Sequence, residues 1–176
     1  MKFIVTIGLF LFSTGTIYSQ VRISDKNAIG WYNLFSTIKM SKKVGLHAEF
    51  QCRRSEWITD GQQNLFRVGF NYQPDANLLL RLGYARVETF SYGEIPINVY
   101  GKTFSENRIF EMIMLKHSYR KADISHRFML EQRFTGKYSK PELGKEDLTV
   151  YSNRMRYMFR ANIPFSKKKN APYFSG

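Results

Sequence analysis

Cysteine is nearly absent from this chain of 176 residues: Cys52 stands alone, so no disulfide can form within one molecule. Histidine is scarce as well. His47, His117 and His126 are scattered, without the short ligand spacing that marks a zinc site. Acidic residues number 14 against 27 lysines and arginines, a formal charge of +13. No stretch reaches the roughly twenty apolar residues that a membrane-spanning helix requires. The glycines of "GYARVETFSYGE" lack the strand–loop–helix setting of a phosphate-binding loop. These absences exclude a disulfide scaffold, a short-spaced zinc centre, a helical membrane protein and a nucleotide-binding fold of that type.

The first twenty residues, MKFIVTIGLFLFSTGTIYSQ, have the organisation of a secretory signal peptide. Lys2 precedes an apolar run from Phe3 to Phe12, followed by small and polar residues, with cleavage expected around Ser19 and Gln20. The domain reading is therefore a signal peptide over 1–20 and a single domain over 21–176. No cysteine stands near the expected cleavage site, so a lipid-anchored N terminus is not expected. A strongly basic balance ordinarily suggests nucleic acid, which an exported protein rarely meets. Anionic lipid, an anionic solute or an internal charge network fits better.

From Trp31 onward the dominant period is two. In "HRFMLEQRF", Arg127, Met129, Glu131 and Arg133 share one face, and Phe128, Leu130, Gln132 and Phe134 the other. "VGLHAEFQCR" sets Val44, Leu46, Ala48, Phe50 and Cys52 against His47, Glu49, Gln51 and Arg53. "NLFRVGFNY" and "LLLRLGY" alternate in the same way, carrying Arg67 and Arg81 on their polar faces. "SNRMRYMFRANIPF" carries Arg154, Arg156 and Arg160. "RIFEMIMLKHS" is the least decided stretch, apolar on both faces until Lys116 and His117. Alternation with abundant tyrosine, phenylalanine and β-branched residues predicts strands. A helix would place Arg127 and Glu131 at pairing distance, but would scatter Phe128, Leu130 and Phe134 around its circumference.

The connections alternate as well. Short polar ones are expected at Lys39 to Lys43, Gln73 to Asn77, Arg120 to Asp123 and Ser166 to Asn170. Longer ones are expected at Arg54 to Gln62, Glu88 to Ser105 and Lys137 to Asp147. Short turns at one end and long loops at the other are the habit of outer-membrane barrels, with Tyr72, Tyr119 and Phe165 near the short turns as a candidate aromatic girdle. Arginine on the lipid face at mid-membrane costs about 2–4 kcal/mol. A one-residue slip of the last long strand would turn Arg154, Arg156 and Arg160 to lipid together, at about 6–12 kcal/mol on that scale. The expected lumen network is Glu49, Arg67, Arg81, Glu111, Arg127, Glu131, Arg133, Arg154, Arg156 and Arg160. An arginine–carboxylate lattice and an anion-selective path are its two readings, since unpaired buried arginine is costly.

"ENRIFEMIMLKHS", "ISHRFMLEQRF" and "YSNRMRYMFRANIPF" together resemble the domain-of-unknown-function family 2490, exported proteins of Gram-negative bacteria regarded as outer-membrane β-barrels. Arg127, Glu131 and Arg133, as R-x-x-x-E-x-R, and the later arginine-alternating strand are the most specific parts. The resemblance covers roughly Trp31 to Phe165. It implies a location and an architecture and brings no catalytic residues.

A serine hydrolase needs a serine hydroxyl within hydrogen-bond reach of a histidine. His117 neighbours Ser118 and Ser125 neighbours His126, but neighbours on a strand point to opposite faces. Asp60, Glu142, Glu146 and Asp147 lie in the longer connections, where weak calcium binding is the alternative to plain solvation. The sequence thus predicts an all-β, antiparallel transmembrane β-barrel with about seven to eight strands, of which the last has only begun at Ala171. Single-chain bacterial barrels close with an even strand number, so the barrel is expected to continue beyond Gly176. Its expected role is non-enzymatic: structural, adhesive or a narrow conduit in the outer membrane. No cofactor is expected, and the partners are outer-membrane lipid and lipopolysaccharide, with no nucleic acid. An outer-membrane lipid hydrolase and a soluble periplasmic β-barrel binding an apolar ligand are the alternatives.

Overall fold

The computed structural model describes residues 28–93, 95, 97–164 and 173–175. The expected signal peptide with Ser19 and Gln20, together with Phe165 and the turn Ser166 to Asn170, lies outside the described residues. Seven long strands follow one another: β1 (Ile29–Lys39), β2 (Val44–Ser55), β3 (Asp60–Tyr72), β4 (Leu78–Thr89), β5 (Phe104–Tyr119), β6 (Ala122–Lys137) and β7 (Leu148–Pro164). A three-residue β8 (Tyr173–Ser175) pairs with the end of β7. Each strand is antiparallel to the next, giving one sheet in the order β1 to β8. β1 and β7 are not bonded to each other, so among the described residues the sheet is open.

Register makes the two faces continuous from strand to strand. Ile38, Leu46, Phe70, Leu82, Glu111, Leu130 and Met155 stand side by side across seven strands. The apolar members of this row are exposed, from 39% for Leu130 to 74% for Met155. One position along, the opposite face carries Thr37, His47, Gly69, Gly83, Phe110, Glu131 and Arg154. Phe110 and Glu131 on that row are fully buried. Large apolar side chains therefore point outward and charged ones inward, the reverse of a water-soluble sandwich.

The undecided stretch "RIFEMIMLKHS" is settled by packing. Phe110 and Met112 of β5 and Met129 of β6 form the apolar core of the inner face, with Leu79 and Met114 against it. Two glycines make room for them. A Cβ on Gly83 would collide with the Val68 carbonyl oxygen and stand 2.6 Å from Phe110 Cζ. A Cβ on Gly69 would stand 2.9 Å from the Arg81 side chain. The Phe110 ring lies across this bare backbone, and the Arg67 guanidinium sits 5.2 Å above it.

The connections depart from expectation at one place. Residues 54–62 do not form a long loop, because β2 runs to Ser55 and β3 begins at Asp60. A bulge between Arg53 and Arg54 absorbs the extra residue, and Glu56 and Trp57 turn the chain at φ of 51° and 68°. The other turns close as their residues suggest. Ser41 Oγ accepts from the Lys43 and Val44 amides, and Asp75 Oδ1 from those of Asn77 and Leu78. The genuinely long connections are 90–103 and 138–147, at the end opposite those turns.

Candidate functional site

The inner faces of β1 to β7 converge on one cavity of about 690 Å³, lined from Trp31 and Phe35 on β1 round to Arg154 and Arg156 on β7. Strand alternation delivers its polar groups, since every second residue of each strand points into it. Eight arginines and two glutamates face the space.

Three carboxylates organise these arginines. Glu131, fully buried, accepts from Arg154 Nη2 at 2.6 Å and Arg156 Nη2 at 2.7 Å, with Arg67 Nη2 at 3.7 Å and Arg108 Nη1 at 3.9 Å. Glu49 accepts from Arg67 Nη1 at 2.6 Å and from the Gln51 amide. His47 Nε2 stands 3.8 Å from Glu49, and its Nδ1 lies 3.0 Å from Thr37 Oγ1. Glu106 receives a two-pronged contact from Arg108, at 2.8 and 2.9 Å, and another from Arg133. Such paired contacts are the strong form of a charged hydrogen bond.

The structure joins Glu49, Arg67, Glu131, Arg133, Arg154 and Arg156 of the expected network. It corrects one member. Glu111 is exposed on the outer face, between Leu82 and Leu130, and meets only the Gln132 amide, at 3.5 Å, among the described residues. The inner acid of β5 is Glu106, paired with Arg108, and both were missed. Their signal was the in-phase run Glu106, Arg108, Phe110, Met112; the carboxylate of Glu111 argued for the opposite parity. Packing of Phe110 over Gly83 decides between the two registers.

Arg81, Arg127 and Arg160 are placed differently from the other arginines of the expected network. Among the described residues none has a carboxylate within 4.0 Å. Arg81 Nε donates to Asn71 Oδ1 at 2.6 Å, and Arg160 is exposed toward the short-turn end. Arg53, which the sequence places on the inner face, lies 4.2 Å over the Trp31 ring.

Among the described residues, neither Ser118 nor Ser125 hydrogen-bonds the histidine next to it in sequence. Ser118 Oγ donates to Asp123 Oδ1 at 2.7 Å. His126 Nδ1 bonds Tyr157 Oη at 2.8 Å, and its ring stacks on that of His117. Two of the four loop carboxylates are engaged too. Glu146 accepts from the backbone amide and hydroxyl of Ser105, and Asp147 from those of Ser139. Lys102 Nζ donates to the Pro141 and Leu143 carbonyls, so the two long connections are tied together. Among the described residues no three metal-ligating side chains gather.

Residues 29–176 match the family described as protein of unknown function, DUF2490. The chain belongs to this family. The match reaches from the first residue of β1 past β8, so the arginine–glutamate face lies wholly inside the family domain. No curated protein and no solved structure matches the chain.

Proposed function

We propose that the chain is the wall of an outer-membrane antiparallel β-barrel that works without enzymatic chemistry, as a narrow water-filled conduit. The observation that carries this reading is the reversal of faces. A row of Ile, Leu, Phe and Met side chains points out from every long strand, while arginine and glutamate are held inside. In water such an outer face would be an aggregation surface; against lipid it is the stable arrangement. Long connections at one end and short turns at the other support the same orientation. Exposed Tyr72 and Tyr119 near the short turns suit the membrane–water boundary. A conduit is favoured over a purely structural or adhesive wall because the inner face leaves a cavity of about 690 Å³ rather than filling it with side chains. Outer-membrane lipid and lipopolysaccharide are the partners such a surface would meet.

The test is fractionation followed by electrophoresis. The exported chain is expected with outer membranes, resistant to carbonate, and its unboiled band should migrate differently from the boiled one. Recovery in the soluble periplasmic fraction would overturn the membrane reading.

A further inference from the structure

We infer that Arg67, Arg81 and Arg127 form a binding site for a soluble oxyanion, a solute bearing phosphate or carboxylate. This deepens the conduit reading and uses the same inner face. The first ground is charge. Each of the three inner glutamates is already claimed: Glu49 by Arg67, Glu106 by Arg108 and Arg133, Glu131 by Arg154 and Arg156. Arg81 and Arg127 still face the cavity, and among the described residues no carboxylate lies within 4.0 Å of either. Uncompensated guanidinium in a confined space is costly, and an anion relieves it.

The second ground is geometry. The Asn71 contact to Arg81 uses Nε and a neutral acceptor, which fixes the guanidinium plane and leaves both Nη groups for a ligand. Arg67 is more than nine-tenths buried, and its Nε has no hydrogen-bond partner. Arg81 on β4 and Arg127 on β6 are separated by β5 and offset by two residues along the strands, about 12 Å in all. Met112 and Met129, buried between them, give an apolar floor. Two long arginine side chains reach across that span to one oxyanion. The planar fork of each guanidinium matches paired oxygens, which a halide lacks.

The probe is inorganic phosphate against chloride at constant ionic strength, applied to the full chain in whichever fraction it is recovered. Binding is read by tryptophan fluorescence, and for a folded barrel also by the temperature at which the fast band is lost. Saturable phosphate binding is expected, weakened about tenfold or more in Arg81→Gln and in Arg127→Gln. Arg120→Gln, in the exposed β5–β6 turn, removes the same charge and should bind as wild type does. Equal responses to phosphate and chloride would overturn the site, as would undiminished binding in both Arg81→Gln and Arg127→Gln. A heat-modifiable barrel without phosphate binding refutes the site and leaves the conduit standing. A soluble chain with arginine-dependent binding upholds the site and refutes the membrane reading.

Discussion

At the scale of single residues, two glutamates on neighbouring strands have opposite situations. Glu131 is fully buried among four arginines, whereas Glu111, one step along the register on β5, points outward among leucines. Glu131→Gln removes the charge those arginines share and should cost about 3–5 kcal/mol, the range for breaking a buried ion pair. If the outer face meets lipid, Glu111→Leu should instead stabilise the fold in liposomes, by less than the roughly 2–4 kcal/mol assigned to arginine or lysine on a lipid face. Urea unfolding of both variants in liposomes checks the pair; equal and opposite ranking would reverse the face assignment. Gly83→Ala belongs here too. Its methyl would collide with the Val68 carbonyl, backbone that a neighbouring strand holds in place, so a loss of about 1–3 kcal/mol is expected from overpacking. Gly144, where an added Cβ meets nothing within 4 Å, is the control and should be near neutral when changed to Ala.

Between elements, the long connections are held by side chains rather than by strand pairing. Asp147 closes the base of the β6–β7 connection. The Ser139 hydroxyl, and then its backbone amide, hold the carboxyl below its ordinary value of 3.8. A depressed carboxyl stabilises the fold above its unfolded pKa and loses that contribution as the pH falls through the lower folded value. The Ser139 amide should therefore be well protected from hydrogen exchange above about pH 4 and lose protection only below it. Asp147→Asn should abolish this pH dependence; unchanged dependence would place the titrating group elsewhere. Leu130→Arg probes a strand rather than a loop. If its row faces lipid near the midplane, insertion should be impaired by about 2–4 kcal/mol, whereas Arg on the solvated loop residue Gly144 should not affect it.

For the molecule as a whole, the decisive property is the sign of the inner field. Eight arginines and two glutamates line the cavity, so on the proposed conduit reading ions crossing it would meet a positive constriction. In planar bilayers with a salt gradient, the reversal potential should report anion preference, and Arg81→Gln with Arg127→Gln should reduce it. Cation preference would contradict the charge balance described above. The next-neighbour meander also means that every strand pairs with one close in sequence, so the topology demands only local closures.

Alternation along each strand was legible in the sequence alone, because side-chain direction in an extended chain repeats every two residues whatever its surroundings. Hence β2, β3, β6 and β7 were readable with their faces, and with them Glu49, Arg67, Glu131, Arg133, Arg154 and Arg156. Turn chemistry at Ser41 and Asp75 was equally local. Where both parities of a strand are apolar, as in β5, period two carries no information about which face is inside. There only the tertiary structure decided, through the Phe110 ring lying on Gly69 and Gly83, which turned Glu106 inward and Glu111 out. The bulge at Arg53 and Arg54 is of the same kind, since it depends on how β2 meets β3 and leaves no mark in the composition of either strand. Which arginines lack a carboxylate is a question of distances across the sheet, and no spacing along the chain encodes it.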